Sequence, residues 1–234
     1  MIYRLFVLIL ILIITTSKLY SQFEGKILVE TGENYASSGI YGNVYGEIAY
    51  LSNDFKISTI SGININRNLF NALKINVSRD FIIKDKKFNG LLFYQWRPFS
   101  KRLHEQNLGL LFQFDLKRFE FDLGFNSRIY NLPYNYTRLN NYDKTIIWEA
   151  FNLMYKITYN QPINERLKAN ISVTNFDLLM IQQETNPFII TNIDYQLSSN
   201  TNIFTDLGYL QAGLFNMRVN YFGFFIRGGV QWKF

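Results

Sequence analysis

The residues best suited to chemistry lie in one short stretch. His104, the only histidine, stands in K-R-L-H-E-Q-N, with Ser100 four residues before it and Glu105 beside it. Serine, histidine and carboxylate are the parts of an acyl hydrolase: nucleophile, base and orienter. All three fall in one predicted polar loop, Pro98 to Gln106. A single loop is a poor scaffold for holding a nucleophile and its base at fixed reach, so His104 reads better as a polar loop residue and no catalytic residue is assigned. One histidine without cysteine makes a poor metal site. The absence of cysteine excludes disulfides, thiolate nucleophiles and lipid attachment through sulfur. No glycine-rich phosphate loop is present, and neither a metal nor a cofactor is expected.

Elsewhere the polar residues recur at every second position, opposite apolar ones, which is the period of a β-strand. The final stretch, F-G-F-F-I-R-G-G-V-Q-W-K-F, shows it well. Phe222, Phe224, Ile226, Gly228, Val230, Trp232 and Phe234 share one face, and Phe225, Arg227, Gln231 and Lys233 share the other. Leu108, Leu110, Phe112, Phe114 and Leu116 form another apolar face. After Lys117-Arg118, Phe119, Phe121, Leu123 and Phe125 form a third, opposite Glu120, Asp122, Asn126 and Arg128. By the same parity the mixed faces carry Lys56, Lys74, Arg97, Arg128, Lys168, Arg227 and Lys233, with Glu47, Asp115, Glu120, Asp122, Asp194 and Asp206.

Composition agrees with two-faced strands. The 234 residues are 48% hydrophobic, 18% aromatic and 18% charged, with 22 Phe, 16 Tyr and only 4 Pro. Mean hydropathy is −0.06, as expected where apolar and polar residues alternate. The net charge of +6 reads as scattered solvated lysines and gives no reason to expect nucleic acid.

Met1 to Gln22 has the form of a secretory leader: Arg4, an apolar run from Leu5 to Ile14, then a polar end at Ser21 and Gln22. The run is short for a membrane span. A signal peptide over 1–22 and one domain over 23–234 are therefore expected. No later run approaches the ~18 apolar residues of a spanning helix. If the domain enters a membrane, it does so as a closed barrel, because only helices and barrels satisfy their backbone polar groups in lipid.

About twelve strands can be read, within a range of ten to fourteen. The tight connections are Ser52–Asp54, Lys84–Lys87, Lys117–Arg118, Asn160–Glu165 and Ser198–Asn200. All the long ones alternate with them: Gly32–Gly39, Pro98–Gln106, Asn131–Lys144 and Phe176–Pro187. Asn66–Asn68 and Gly213–Arg218 are the short exceptions in that second set. Leu178 to Ile181 is apolar within its loop, and either extends a strand or forms a short helix. A transmembrane barrel has this segregation, with short periplasmic turns and longer external loops. It predicts an aromatic girdle of Phe55, Phe119 and Tyr159, with Trp232 and Phe234, at the periplasmic rim. Trp96, Tyr130, Tyr134 and Trp148 are predicted at the outer rim.

The leader, the alternating strands and the terminal G-G-V-Q-W-K-F resemble a small, porin-like outer-membrane β-barrel protein of Gram-negative bacteria. The resemblance covers the whole mature chain and names no subfamily. It implies an all-β, antiparallel, up-and-down transmembrane barrel in the cell outer membrane, with outer-membrane lipids and lipopolysaccharide as its surroundings. It also implies the barrel-assembly machinery as a partner, with Trp232 and Phe234 as the signal that machinery reads. Outer-membrane lipases use serine–histidine pairs on neighbouring strands facing lipid, an arrangement the predicted 98–106 loop does not offer.

Glu47, Lys74, Arg97, Asp115, Glu120, Asp122, Arg128, Lys168, Asp194 and Arg227 are the lumen-facing candidates. Both signs occur in similar number, which suits a weakly selective passage for small polar solutes. A non-conducting structural barrel is the alternative, as is an adhesin or receptor acting through the Asn/Tyr-rich loop 131–144. A lipid hydrolase is less favoured. A soluble lipocalin-like barrel would reverse the faces and put the Phe-rich ones inside.

Overall fold

The structure is a computed structural model, which describes residues 22–34, 39–52, 55–65, 69–84, 86–98, 104–131, 146–179, 183–212 and 221–234. Residues 1–21, Ser100, Tyr134 and the body of the 131–144 loop lie outside the described residues. So does much of each other long connection.

Twelve strands follow one another: β1 (Gln22–Asn34), β2 (Gly39–Ser52), β3 (Phe55–Asn64), β4 (Leu69–Ile83), β5 (Lys86–Pro98) and β6 (His104–Leu116), then β7 (Phe119–Asn131), β8 (Ile146–Pro162), β9 (Leu167–Phe176), β10 (Gln183–Gln196), β11 (Thr201–Ala212) and β12 (Tyr221–Lys233). Each is antiparallel to its neighbours in sequence. β12 closes on β1, from Glu24 opposite Lys233 to Gly32 opposite Phe225. Closure leaves no unpaired edge, as a sheet in lipid requires.

The turn between β6 and β7 has just two residues, and Lys117 takes a φ of 58° to make it. The turns joining β2–β3, β4–β5, β6–β7, β8–β9 and β10–β11 lie at the end that holds Gln22 and Phe234. β1, β3, β5, β7, β9 and β11 run toward the other end.

Several strands extend beyond their predicted limits. β1 begins at Gln22, inside the expected leader. The 98–106 loop is shorter than predicted, because Pro98 pairs with His104 and Arg97 with Glu105. His104 thus opens β6, where it also pairs with Asn131. β8 has an imperfect period for a physical reason. Asn126 pairs with Asn152 and Arg128 with Glu149, so β8 carries one extra residue there and its faces switch.

The apolar faces point outward. Ile27, Leu110, Phe112, Leu123, Phe125, Leu153 and Ile226 are all solvent-exposed, whereas inward Gln95, Asn107 and Asp122 are fully buried. This reverses a lipocalin-like barrel and overturns that reading. Such a continuous apolar exterior far exceeds the patches a soluble monomer exposes.

Aromatic side chains line the outer surface near the short turns. Phe81, Phe88, Phe114 and Phe121 form a ladder across β4 to β7, with ring centroids 5.7, 6.0 and 5.1 Å apart. Phe119 continues it to Tyr159 at 5.4 Å. Trp232 and Phe234 meet edge to face at 6.2 Å, and Trp232 lies over Gly25. Phe55 has the outward parity of its strand.

At the opposite end, Trp96 packs on Phe70 at 5.7 Å, and Trp148 donates to Ser127 Oγ at 2.8 Å from the outer face. Tyr130 differs from its predicted place in the girdle. It shares the face of Arg128, whose Nη1 donates to its hydroxyl at 2.5 Å. Even-numbered residues of β7 point inward, and Tyr130 is one of them.

Candidate functional site

The lumen is where the polar residues converge. Because β-strands alternate, each inward side chain meets the inward side chain of its register partner. A chain of hydrogen bonds joined by one ion pair follows from this. Asn170 donates to Asn192 at 3.2 Å, Asn192 to Asp206 at 2.6 Å, and Asp206 faces Arg227 at 3.9 Å. Arg227 Nε donates to Glu30 at 2.6 Å, Asn43 to Glu30 at 3.1 Å, and Asn64 to Asn43 at 2.9 Å. This chain runs from β9 to β3 and crosses the closing seam between β12 and β1.

The other charges form local pairs. Lys156 lies 3.8 Å from Glu120 and 3.6 Å from Asp122. Arg128 lies 3.9 Å from Glu105 and 3.7 Å from Glu149. Near the short turns, Glu24 binds Lys56 at 2.8 Å and Lys233 at 3.3 Å. Lys168 and Asp194 are register partners and line a recess of about 150 Å³ at that mouth. Asp115 stands opposite Glu120 at the same end, and Arg97 opposite Glu105 at the other.

The segment after β9 crosses this lumen. Phe176 is fully buried. Asp177 accepts two hydrogen bonds from the Arg227 guanidinium, one of them at 3.1 Å. The backbone carbonyl of Leu178 accepts from Lys74 Nζ, on β4. Leu178 packs on one apolar wall, made by Leu91, Phe93, Leu111, Met154 and Phe176. Leu179 packs on the other, made by Leu28, Tyr45, Ile60, Ala72 and Phe204. Two consecutive leucines therefore reach opposite sides of the barrel. The predicted strand extension or short helix is absent over the described residues 177–179. The apolar stretch serves instead as a crossbar.

Beside the crossbar is a chamber of about 570 Å³, lined by Lys26, Glu47, Lys56, Lys74, Glu120, Lys156, Asp206 and Arg227, among many Asn and Ser side chains. Toward the outer end the space is filled. Phe93, Gln95, Asn107 and Asn126 have essentially no exposed surface. Asn126 donates to Asn107 at 2.9 Å, and Asn107 to Glu105 at 2.5 Å.

Of the predicted lumen residues, Glu47, Lys74, Glu120 and Arg227 line the chamber. Asp122 and Arg128 pair with charges that parity alone did not single out: Lys156, Glu105 and Glu149. Lys156 and Glu149 were hidden by the bulge in β8, and Glu105 by the predicted loop. Asp177 lay in a predicted loop, where parity says nothing. His104 is a strand residue, and Ser100 lies outside the described residues.

No family model and no curated protein matches the chain. Solved structures do. A KdgM porin in complex with disordered oligogalacturonate superposes with a TM-score of 0.56 at 8% identity, covering 90% of this chain and 99% of that one. The NanC porin gives 0.54 at 13% identity, covering 89% and 100%. The translocator domain of autotransporter NalP from Neisseria meningitidis gives 0.52 at 11% identity, covering 94% and 90%. The likeness is one of fold. A closed antiparallel barrel of this kind is the architecture this chain shares with solved outer-membrane porins.

Proposed function

We propose that this chain is an outer-membrane barrel that passes small polar solutes with weak charge selectivity. One observation carries the reading: a polar chamber of about 570 Å³ inside a barrel whose outer face is apolar. That volume is within the roughly 300–1,000 Å³ of sites that take small molecules. Lysines and carboxylates both line the wall, and amides and hydroxyls fill the intervals. A strongly ion-selective pore would carry rings of one sign. Neutral hydrogen-bonding solutes and small ions of either sign suit this wall best.

The aromatic rims favour a chain seated in the outer membrane between phospholipid and lipopolysaccharide. The exposed Trp232–Phe234 terminus is the segment we assign to recognition by the barrel-assembly machinery. The 8–13% identity of the aligned porins supports the architecture and does not carry their cargo across.

A second reading, a non-conducting structural or surface-binding barrel, draws on the crossbar and the filled outer half. Planar-bilayer recording separates the two. Purified barrel that migrates as folded on unheated gels is expected to give discrete steps with similar permeability to potassium and chloride. A folded sample silent under all voltages would contradict the channel.

A further inference from the structure

We propose that Asp177–Leu179 is a gate, latched across the lumen by the Asp177–Arg227 pair and sprung by the buried ammonium of Lys74. The proposal rests on the channel reading above.

The latch is visible in the contacts. Asp177 is the only one of these three residues that carries a charge, and it meets Arg227 through two guanidinium nitrogens. Arg227 is itself buried, stacks on Phe225 at 4.2 Å, and keeps Glu30 and Asp206 when Asp177 departs. Its charge is therefore balanced in both positions of the crossbar. Withdrawal exposes no unpaired arginine, so the latch can release without wrecking the wall.

The spring lies on β4. Lys74 has no exposed surface, and its Nζ donates to the Leu178 carbonyl and lies 5.4 Å from the Phe93 ring centroid. Among the described residues, no carboxylate lies within ion-pairing distance of it. A buried ammonium bonded to a neutral carbonyl, with Asp177 and Glu47 acting on it only at longer range, is incompletely compensated. With the crossbar withdrawn, the same ammonium would face the water of the chamber it already lines. The closed state thus stores a cost at Lys74 and recovers it at Asp177 and in the seating of Leu178 and Leu179. Opposing contributions on one packed element give two discrete arrangements rather than a continuum.

Three changes follow with different signs. Asp177→Asn keeps the shape and removes the latch charge. The open-to-closed ratio in single-channel records is expected to rise about tenfold, the worth of one charge-assisted hydrogen bond. Leu178→Ser with Leu179→Ser unseats both ends and is expected to do the same. Lys74→Met removes the buried charge together with the donor to the Leu178 carbonyl; because desolvating an ammonium outweighs one hydrogen bond, it is expected to lower the ratio.

A second readout does not depend on current. The chain has no cysteine, so Leu179→Cys carries the only thiol. A membrane-impermeant maleimide is expected to label it slowly in an otherwise native chain, and about tenfold faster once Asp177→Asn is added. Folding of each variant is checked by its migration on unheated gels. Equal labelling and equal conductance across the set overturn the gate and leave the channel standing. Faster labelling with silent membranes throughout overturns the channel on which the gate depends.

Discussion

Arg227 shows how much of this barrel depends on one side chain. It sits on the closing strand, faces Glu30 at 2.6 Å across the seam, holds Asp177 of the crossbar, and lies 3.9 Å from Asp206. Removing it leaves three carboxylates facing one another in a buried space. Arg227→Met is expected to cost about 3–5 kcal/mol, the usual penalty for deleting one partner of a buried ionic cluster. The measurement is the urea midpoint of barrel unfolding in vesicles. A midpoint unchanged from the parent would mean that the cluster is solvated in the membrane. Arg227→Lys is expected to recover only part of the loss, because an ammonium cannot serve Glu30 and Asp177 with a planar fork.

Strands here fit by pairing large inward rings with glycines on the neighbouring strand. A Cβ on Gly62 would stand 2.4 Å from the Tyr45 ring, and its three nearest neighbours are all atoms of that ring. Tyr45 in turn belongs to the wall that seats Leu179. Gly62→Ala is expected to destabilise the barrel by about 1–3 kcal/mol, as overpacking does. In a Tyr45→Ala background the same Gly62→Ala change is expected to cost less than it does in the parent, as a double-mutant cycle reads it. An equal cost in both backgrounds would place the strain elsewhere. Gly229 differs, because an added Cβ there would also crowd Ile27 O at 2.5 Å on the closing seam.

The same alternation explains what could be read in advance. A period of two is a local property, so the faces of β6, β7 and β9 were legible from residues 108–128 and 166–175 alone. The bulge opposite Asn126 and Arg128 switched the parity of β8 and concealed Lys156. The crossbar was illegible for another reason. Leu178 meets Lys74 across 104 residues of sequence, and Asp177 meets Arg227 across 50. No local pattern in L-L-M-I distinguishes a loop that spans a lumen from one that covers a rim.

At the scale of the molecule, two solvents meet one sheet. The outer face asks for hydrocarbon and the inner face for water. Leu110 lies at the centre of β6 on the outward face, and Gln113 lies on the inward face, where it donates to Asp122 at 3.0 Å. Leu110→Arg is expected to cost about 2–4 kcal/mol in a bilayer, the penalty for a basic residue near the midplane of a barrel's lipid face. Gln113→Arg should cost much less, since it gains a carboxylate neighbour in a polar lumen. Urea unfolding of both variants in vesicles measures the difference, and equal costs would deny the two environments.

The two solvents can be tested most directly with nitroxide labels on neighbouring residues. In this cysteine-free chain, single thiols at Phe112 and Gln113 place one label on each face of β6. In liposomes, oxygen dissolved in lipid is predicted to relax the label at 112, and a water-soluble nickel chelate the label at 113. Nickel access at 112 with oxygen access at 113 would turn the barrel inside out and contradict the lumen, the chamber and the gate together.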